Sequence, residues 1–217
     1  MKRKSFWGSL GLLVSFGLWT AAVCLVDVQA IGPQGSKVGF ATLNRFVHQL
    51  TGVNWTLYTI TDWLGLVPLA VVVGFGLLGG TQWVKRRGMK KVDRSILALG
   101  GFYLTVLAFF VFFEMVVINY RPVLIEGLLE ASYPSSTTML ALCVIPTAMM
   151  EMRRRIRGKG RLYLTTLMVG FTAFMVVGRL LSGVHWISDI IGGALLSAGL
   201  VWMYAALCGV NQMCAER

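Results

Sequence analysis

The segment Gly178-Arg-Leu-Leu-Ser-Gly-Val-His-Trp-Ile-Ser-Asp189 joins two long apolar runs and carries Arg179, His185 and Asp189. Charged and titratable side chains at the edge of a membrane are seldom kept without a task. A histidine beside a guanidinium is equipment for attacking a phosphate: the ring supplies a nucleophilic nitrogen and the arginine holds anionic oxygens. Asp189 follows His185 by four residues. If the second run is already helical there, the two share a face and the carboxylate can hold the imidazole in one tautomer. The plainer alternative is three residues that mark a helix boundary.

Two further stretches carry the same chemistry. Asn119-Tyr-Arg121-Pro122 reads as the end of a helix stopped by Pro122, which has no backbone donor. Tyr133-Pro134-Ser135-Ser136-Thr137-Thr138 reads as a helix start, with Ser135 or Ser136 as cap. A helix N-terminus presents unpaired N–H groups that favour an anion. Each element alone is compatible with ordinary capping or interfacial anchoring. Together, two arginines, a helix N-terminus and a histidine–aspartate pair point to a shared oxyanion site.

The elements that must position these residues are membrane spans. The chain has 217 residues, 56% hydrophobic and only 13% charged, against about 25% charged in an ordinary soluble domain. Apolar runs close to the roughly 20 residues that cross a bilayer are expected at 5–27, 63–84, 95–118, 136–152, 162–181 and 188–209. The fourth is short and begins among hydroxyl residues, so its outer end is expected below the membrane surface. Residues 37–60 are mixed, with Phe40, Leu43, Phe46, Val47 and Leu50 at near-helical spacing, which predicts an amphipathic helix on the membrane or capping the bundle. The fold expected is all-α: one domain over 1–217, an integral membrane bundle of six transmembrane helices plus an outer-side amphipathic helix. Gly192, Gly193, Ser197 and Gly199 form a small-residue surface on the last span, expected to pack within the bundle rather than at a dimer interface.

The net charge of +11 comes from 20 basic residues against nine acidic ones, and its distribution argues against nucleic acid. Most of the basic residues lie in Lys2–Lys4, in the connection from Lys85 to Arg94, in that from Arg153 to Arg161, and at Arg217. If six spans alternate, all these fall on one side, leaving Lys37, Arg45, Arg121 and Arg179 on the other. That is the positive-inside pattern, with both termini cytoplasmic and the site outward. The clusters would also attract anionic membrane lipids. Short basic loops fit a bacterial inner membrane, although a eukaryotic internal membrane obeys the same rule. Met1–Ala30 resembles a signal peptide ending at Val28-Gln-Ala30, but its long apolar centre favours an uncleaved span. Cys24, Cys143, Cys208 and Cys214 lack paired metal spacing. No dinucleotide fingerprint, phosphate-binding P-loop or internal repeat is found, so neither a metal nor a cofactor is expected.

The order Arg121-Pro122, Pro134-Ser135-Ser136, then Arg179 with His185 and Asp189 resembles the three signature motifs of the type 2 phosphatidic acid phosphatase superfamily. The resemblance runs from about Glu114 to Gly193, and the third motif is the most specific. It implies a membrane phosphatase in which Arg121 and Arg179 clamp phosphate oxygens, and Ser135 with the amides around Ser136 completes the cradle. His185 would form a phosphohistidine and Asp189 would orient it. Three positions depart from the family pattern. Glu114 stands where the first motif has a lysine, Thr137 where the second has a proton-donating histidine, and Gly178 where a serine usually precedes the arginine. Glu114 is expected about 10 Å from Arg121 along a helix axis, paired with an arginine or protonated. Expelling an alkoxide nearly requires a proton, whereas expelling phosphate from a diphosphate does not, and general acid help is worth about 10²–10⁴. A polyprenyl diphosphate is therefore favoured over a phosphomonoester. Glu126, Glu130 and His48 are candidate substitute acids, although loop charges and an interfacial histidine explain them as well. Two classes stay open. One is a lipid phosphatase or phosphotransferase acting on a lipid phosphate or diphosphate; the other is a degenerate relative that binds a lipid phosphate or a partner protein without turnover. The oligomeric state is not legible.

Overall fold

The computed structural model describes residues 2–156 and 158–208, so Arg157, Cys214 and Arg217 lie outside the described residues. Among the described residues the regular structure is helical: α1 (Lys2–Leu25), α2 (Ala41–Thr51), α3 (Trp55–Leu64), α4 (Leu66–Arg86), α5 (Arg94–Met115), α6 (Ser136–Arg155), α7 (Lys159–Leu181) and α8 (Ile187–Leu207), with two short 3₁₀ turns. Among the described residues five stretches are long and apolar enough to cross a membrane: Lys4–Leu25, α3 with α4 as Trp55–Arg86, α5, α7 and α8. Large apolar side chains such as Leu18, Val73, Leu104 and Leu167 point outward along them, where hydrocarbon tails replace a protein core. Exposed tryptophans ring both ends, Trp7 and Trp83 at one and Trp55 and Trp63 at the other, as interfacial aromatics do.

The sixth expected span is α6, and composition does not qualify it. Its 20 residues include Ser136, Thr137, Thr138, Pro146, Thr147 and Glu151. It is enclosed by α4, α5, α7 and α8, and Thr138 and Thr147 are fully buried with Ala141 and Cys143. Thr147 Oγ1 donates to the Cys143 carbonyl at 2.7 Å, so the helix keeps its polar groups satisfied internally. The expected surface helix over 37–60 is also revised. Gly52 ends α2, Asn54 caps α3 by accepting from the Leu57 amide at 2.9 Å, and α3 runs into α4. Residues 55–60 therefore belong to the second span. On α2 the expected stripe faces away from the protein: Leu43, Phe46 and Leu50 are exposed while Asn44 is buried.

Close backbone approach builds the bundle. Helices α1 and α8 run antiparallel: a Cβ on Gly199 would lie 2.7 Å from Leu13, and one on Gly192 would lie 2.6 Å from the Tyr133 ring. Ser197 Oγ donates to the Met139 carbonyl at 3.4 Å. The small-residue surface is thus an internal helix contact. At one end, Arg155 reaches Asp93 at 3.6 Å, which brings the α4–α5 loop beside the end of α6. We refer to this as the basic end. At the opposite, site end lie the loops 116–135 and 182–186 together with α2 and the start of α3.

Candidate active site

Helix α5 ends at Met115, not beside Pro122, so the chain leaves the helix through the β-branched Val116, Val117 and Ile118. Glu114 is consequently in the last turn of α5 and exposed, rather than two turns deep. It forms no ion pair among the described residues. It lines a water-sized cavity together with His185, Ser136 and Tyr133. Arg121 sits beyond the helix on an irregular segment whose backbone pairs back on itself: the Arg121 amide donates to the Glu130 carbonyl at 3.0 Å.

From there Arg121 reaches His185, with Nη1 3.3 Å from Nε2. A guanidinium only donates, so Nε2 is the acceptor, and in the neutral ring the proton belongs on Nδ1. His185 is buried, and burial with the charges of Arg121 and Arg179 holds its pKa well below the ordinary histidine value. The ring is therefore neutral, with its Nε2 lone pair aimed at the Arg121 guanidinium.

Helix α8 starts at Ile187, so His185 lies two residues ahead of it and the pair with Asp189 is not a helical one. His185 Nδ1 and Asp189 Oδ2 are 3.9 Å apart, beyond a hydrogen bond, and Nδ1 makes no hydrogen bond of good geometry among the described residues. Asp189 instead fixes the turn, accepting from the Trp186 amide at 3.0 Å, Asn119 Nδ2 at 3.1 Å and Ser188 Oγ at 3.3 Å. Its own carbonyl accepts from the Ser135 amide at 3.1 Å, which ties the start of α6 to that of α8. Ser135 occupies the cap position of α6, but its hydroxyl donates to Thr138 Oγ1 at 3.0 Å instead of accepting from the first-turn amides. Ser136 and Thr137 follow in the same turn, half-buried.

Arg179 is 1% exposed in the last turn of α7, and its surroundings were missed by sequence reasoning. Nη1 donates to Thr61 Oγ1 at 3.4 Å. Nη2 pairs with Asp62 Oδ1 at 3.5 Å, and the guanidinium carbon lies 5.0 Å over the Tyr58 ring. The spacing of Tyr58, Thr61 and Asp62 puts them on one helical face. The expected boundary between a surface helix over 37–60 and a span from 63 divides that face, and nothing local links it to Arg179. Gly178 has a local reason: a Cβ there would lie 2.8 Å from Thr61 Cγ2. Arg121 has a carboxylate partner too, with Nε 3.0 Å from Glu130 Oε2. Of the candidate substitute acids, Glu130 therefore faces the site as a salt-bridge partner, whereas Glu126 forms an exposed left-handed turn residue. His48 Nε2 lies 3.1 Å from the Gly183 carbonyl, with its ring against Trp186. It braces the loop that carries His185.

The structure thus gathers Arg121, Ser135, Ser136, Arg179, His185 and Asp189 at one end of the bundle. The model of the PAP2 superfamily matches residues 63–212. No curated protein matches the chain in sequence. Among solved structures, a transmembrane PAP2-type phosphatidylglycerolphosphate phosphatase from Bacillus subtilis matches with a TM-score of 0.59 at 16% identity, over 96% of this chain and 98% of that one. That likeness is one of fold.

Proposed function

Because this chain belongs to the PAP2 superfamily, we propose that it is a membrane lipid phosphatase acting through His185. The observation that carries this reading is the neutral, buried imidazole with Nε2 3.3 Å from Arg121 Nη1. A phosphate oxygen bound by Arg121 brings its phosphorus within reach of that lone pair. Nε2 attacks phosphorus and the bond to the leaving oxygen breaks, leaving a phosphohistidine whose positive ring keeps its proton on Nδ1. Asp189, 3.9 Å away, is placed to stabilise that charge. Water then attacks phosphorus, the P–N bond breaks, Nε2 recovers its electron pair, and the water's protons leave on the released phosphate or pass to solvent. Arg179 and Arg121 clamp the oxygens, with Ser135 and the free amides of the α6 N-terminus around Ser136 completing the cradle.

Thr137 supplies no acidic proton, so the leaving group is one that departs without it. This favours a diphosphate lipid such as a polyprenyl diphosphate. The whole chain is then one six-span domain in which α6 crosses within the bundle. Its basic end is cytoplasmic and its site faces outward, as in a bacterial inner membrane. A second reading has a specific observation behind it: both guanidiniums already hold a carboxylate, Glu130 and Asp62, and Glu114 adds another near the site. On that reading the protein binds a lipid phosphate or a partner protein without turnover. Phosphate release by purified protein from a polyprenyl diphosphate and from phosphatidic acid, alongside His185→Ala, separates the two. Release from the diphosphate that vanishes in the variant supports the enzyme. Faster release from phosphatidic acid would overturn the diphosphate preference. No release from either, with the variant folded, leaves the binder.

A further inference from the structure

Hydrolysis through a phosphohistidine has two half-reactions, and they differ in what they ask of a proton. In the first, a diphosphate lipid supplies a leaving group that departs without one. In the second, water must lose a proton as its oxygen bonds to phosphorus, whatever the substrate was. Thr137 cannot accept that proton at neutral pH. Asp189 is on the wrong side of the ring, 3.9 Å from Nδ1, and its buried oxygens already accept from Trp186, Asn119 and Ser188. Glu130 is placed differently. Its Oε2 lies 3.0 Å from Arg121 Nε, and Nη1 of the same guanidinium lies 3.3 Å from His185 Nε2, the nitrogen that would carry the phosphoryl group. The charges of this pair, and of Arg179 with Asp62, all reach Tyr58, so the two clamps share one neighbourhood. Two features separate Glu130 from an ordinary surface counter-ion. Its main chain is held as well as its side chain: the Arg121 amide donates to the Glu130 carbonyl at 3.0 Å, and Tyr120 bridges Ala131. A phosphate that takes over the guanidinium therefore frees the carboxylate without removing it from the site. The Glu130 side chain is also 40% exposed, whereas His185 is 3% exposed, so a proton taken inside has a way out to solvent.

We infer that Glu130 is the general base of the second half-reaction, taking a proton from the water that attacks the phosphohistidine. The inference rests on the phosphatase reading above and deepens it. Binding of the phosphate to Arg121 releases the carboxylate, which then faces the phosphorus on Nε2. The water oxygen bonds to phosphorus and one of its protons moves to Glu130. The P–N bond breaks and its electron pair returns to Nε2. Inorganic phosphate leaves, and Glu130 gives its proton to solvent and pairs with Arg121 again. One carboxylate thus serves as the counter-ion of the resting clamp and as the base of the loaded one.

The test uses the purified full-length protein and a polyprenyl diphosphate radiolabelled in its terminal phosphate, quenched in alkali, where phosphohistidine survives. Glu130→Gln keeps the shape of the side chain and removes the base. The expected result is a burst of lipid monophosphate stoichiometric with protein, label accumulating on the protein, and steady phosphate release slowed about 10²-fold or more. Hydroxylamine, a stronger nucleophile than water that needs no base, should discharge the label and restore turnover. Glu126→Gln, on the exposed turn of the same loop, should match wild type. A slow Glu130→Gln protein that accumulates no label would overturn the inference, since the carboxylate would then act on binding or on the first half-reaction. Wild-type turnover by Glu130→Gln would overturn it as well. If wild type neither releases phosphate nor acquires label, the phosphatase reading itself fails and the base falls with it.

Discussion

The chemistry of His185 is set by what surrounds it. Burial and two guanidiniums disfavour the imidazolium, so the ring stays neutral in mildly acidic conditions. The acid limb of kcat/KM, which reports the free enzyme, is expected below the ordinary histidine value of about 6.5. Because a neighbouring positive charge depresses the pKa, Arg121→Gln should raise it. Activity would then be lost at a higher pH as the solution is acidified, although the maximum rate is lower. A limb that does not move would mean that Arg121 does not act on the ring electrostatically. Thr137 offers the complementary change. Thr137→His introduces a proton donor in the first turn of α6 and should raise kcat/KM for phosphatidic acid by about 10²–10⁴. Turnover of a diphosphate should change far less. A rise of equal size on both substrates would show that the missing proton is not what separates them.

Helices α3 and α7 meet through Gly178 and Thr61, and the contact explains a residue that motif comparison alone leaves odd. The Thr61 methyl fills the space of a side chain at 178, while its hydroxyl accepts from Arg179. Gly178→Ala should therefore destabilise the fold by about 1–3 kcal/mol, lowering the unfolding midpoint in detergent. Thr61→Ser, which removes the methyl and keeps the hydroxyl, should restore most of the loss when combined with it. Additive losses in the double variant would refute the steric account. The same contact shows where sequence reasoning stopped. Arg179, His185 and Asp189 were legible because spacing within one segment carries them. Tyr58, Thr61 and Asp62 were not, because their role depends on α3 crossing α7, more than a hundred residues away. The helical pairing of His185 with Asp189, expected if the last span began earlier, does not form for a local reason: Asp189 caps the turn before α8 and its oxygens accept from Trp186, Asn119 and Ser188. The span expected over 95–118 overruns the end of α5 because Val116, Val117 and Ile118 continue the hydropathy of the helix without continuing its backbone.

For the whole molecule, the all-helical membrane architecture was legible from composition alone, since long apolar runs admit no other economical fold. The exception is α6, whose buried hydroxyls read as a weak span because neighbouring helices, not lipid, surround it. The proposed orientation, with the basic end cytoplasmic, has its own check. With native cysteines replaced, Lys37→Cys should react with a membrane-impermeant maleimide on intact cells, and Lys90→Cys only after permeabilisation. The reverse pattern would invert the topology. The carboxylates facing the two arginines bear on the protein as a whole. A bare pair of guanidiniums at a membrane surface collects whatever small anion is abundant. Here Glu130 and Asp62 are tethered counter-ions, both partly in contact with solvent and therefore easily released. The resting site carries its own ionic atmosphere and has little to gain from chloride or sulfate. Turnover is thus expected to depend only weakly on added salt, and Glu130→Gln with Asp62→Asn should make it steeply sensitive to sulfate. Equal sulfate inhibition in wild type and variant would show that the tethered charges do not compete with free anions.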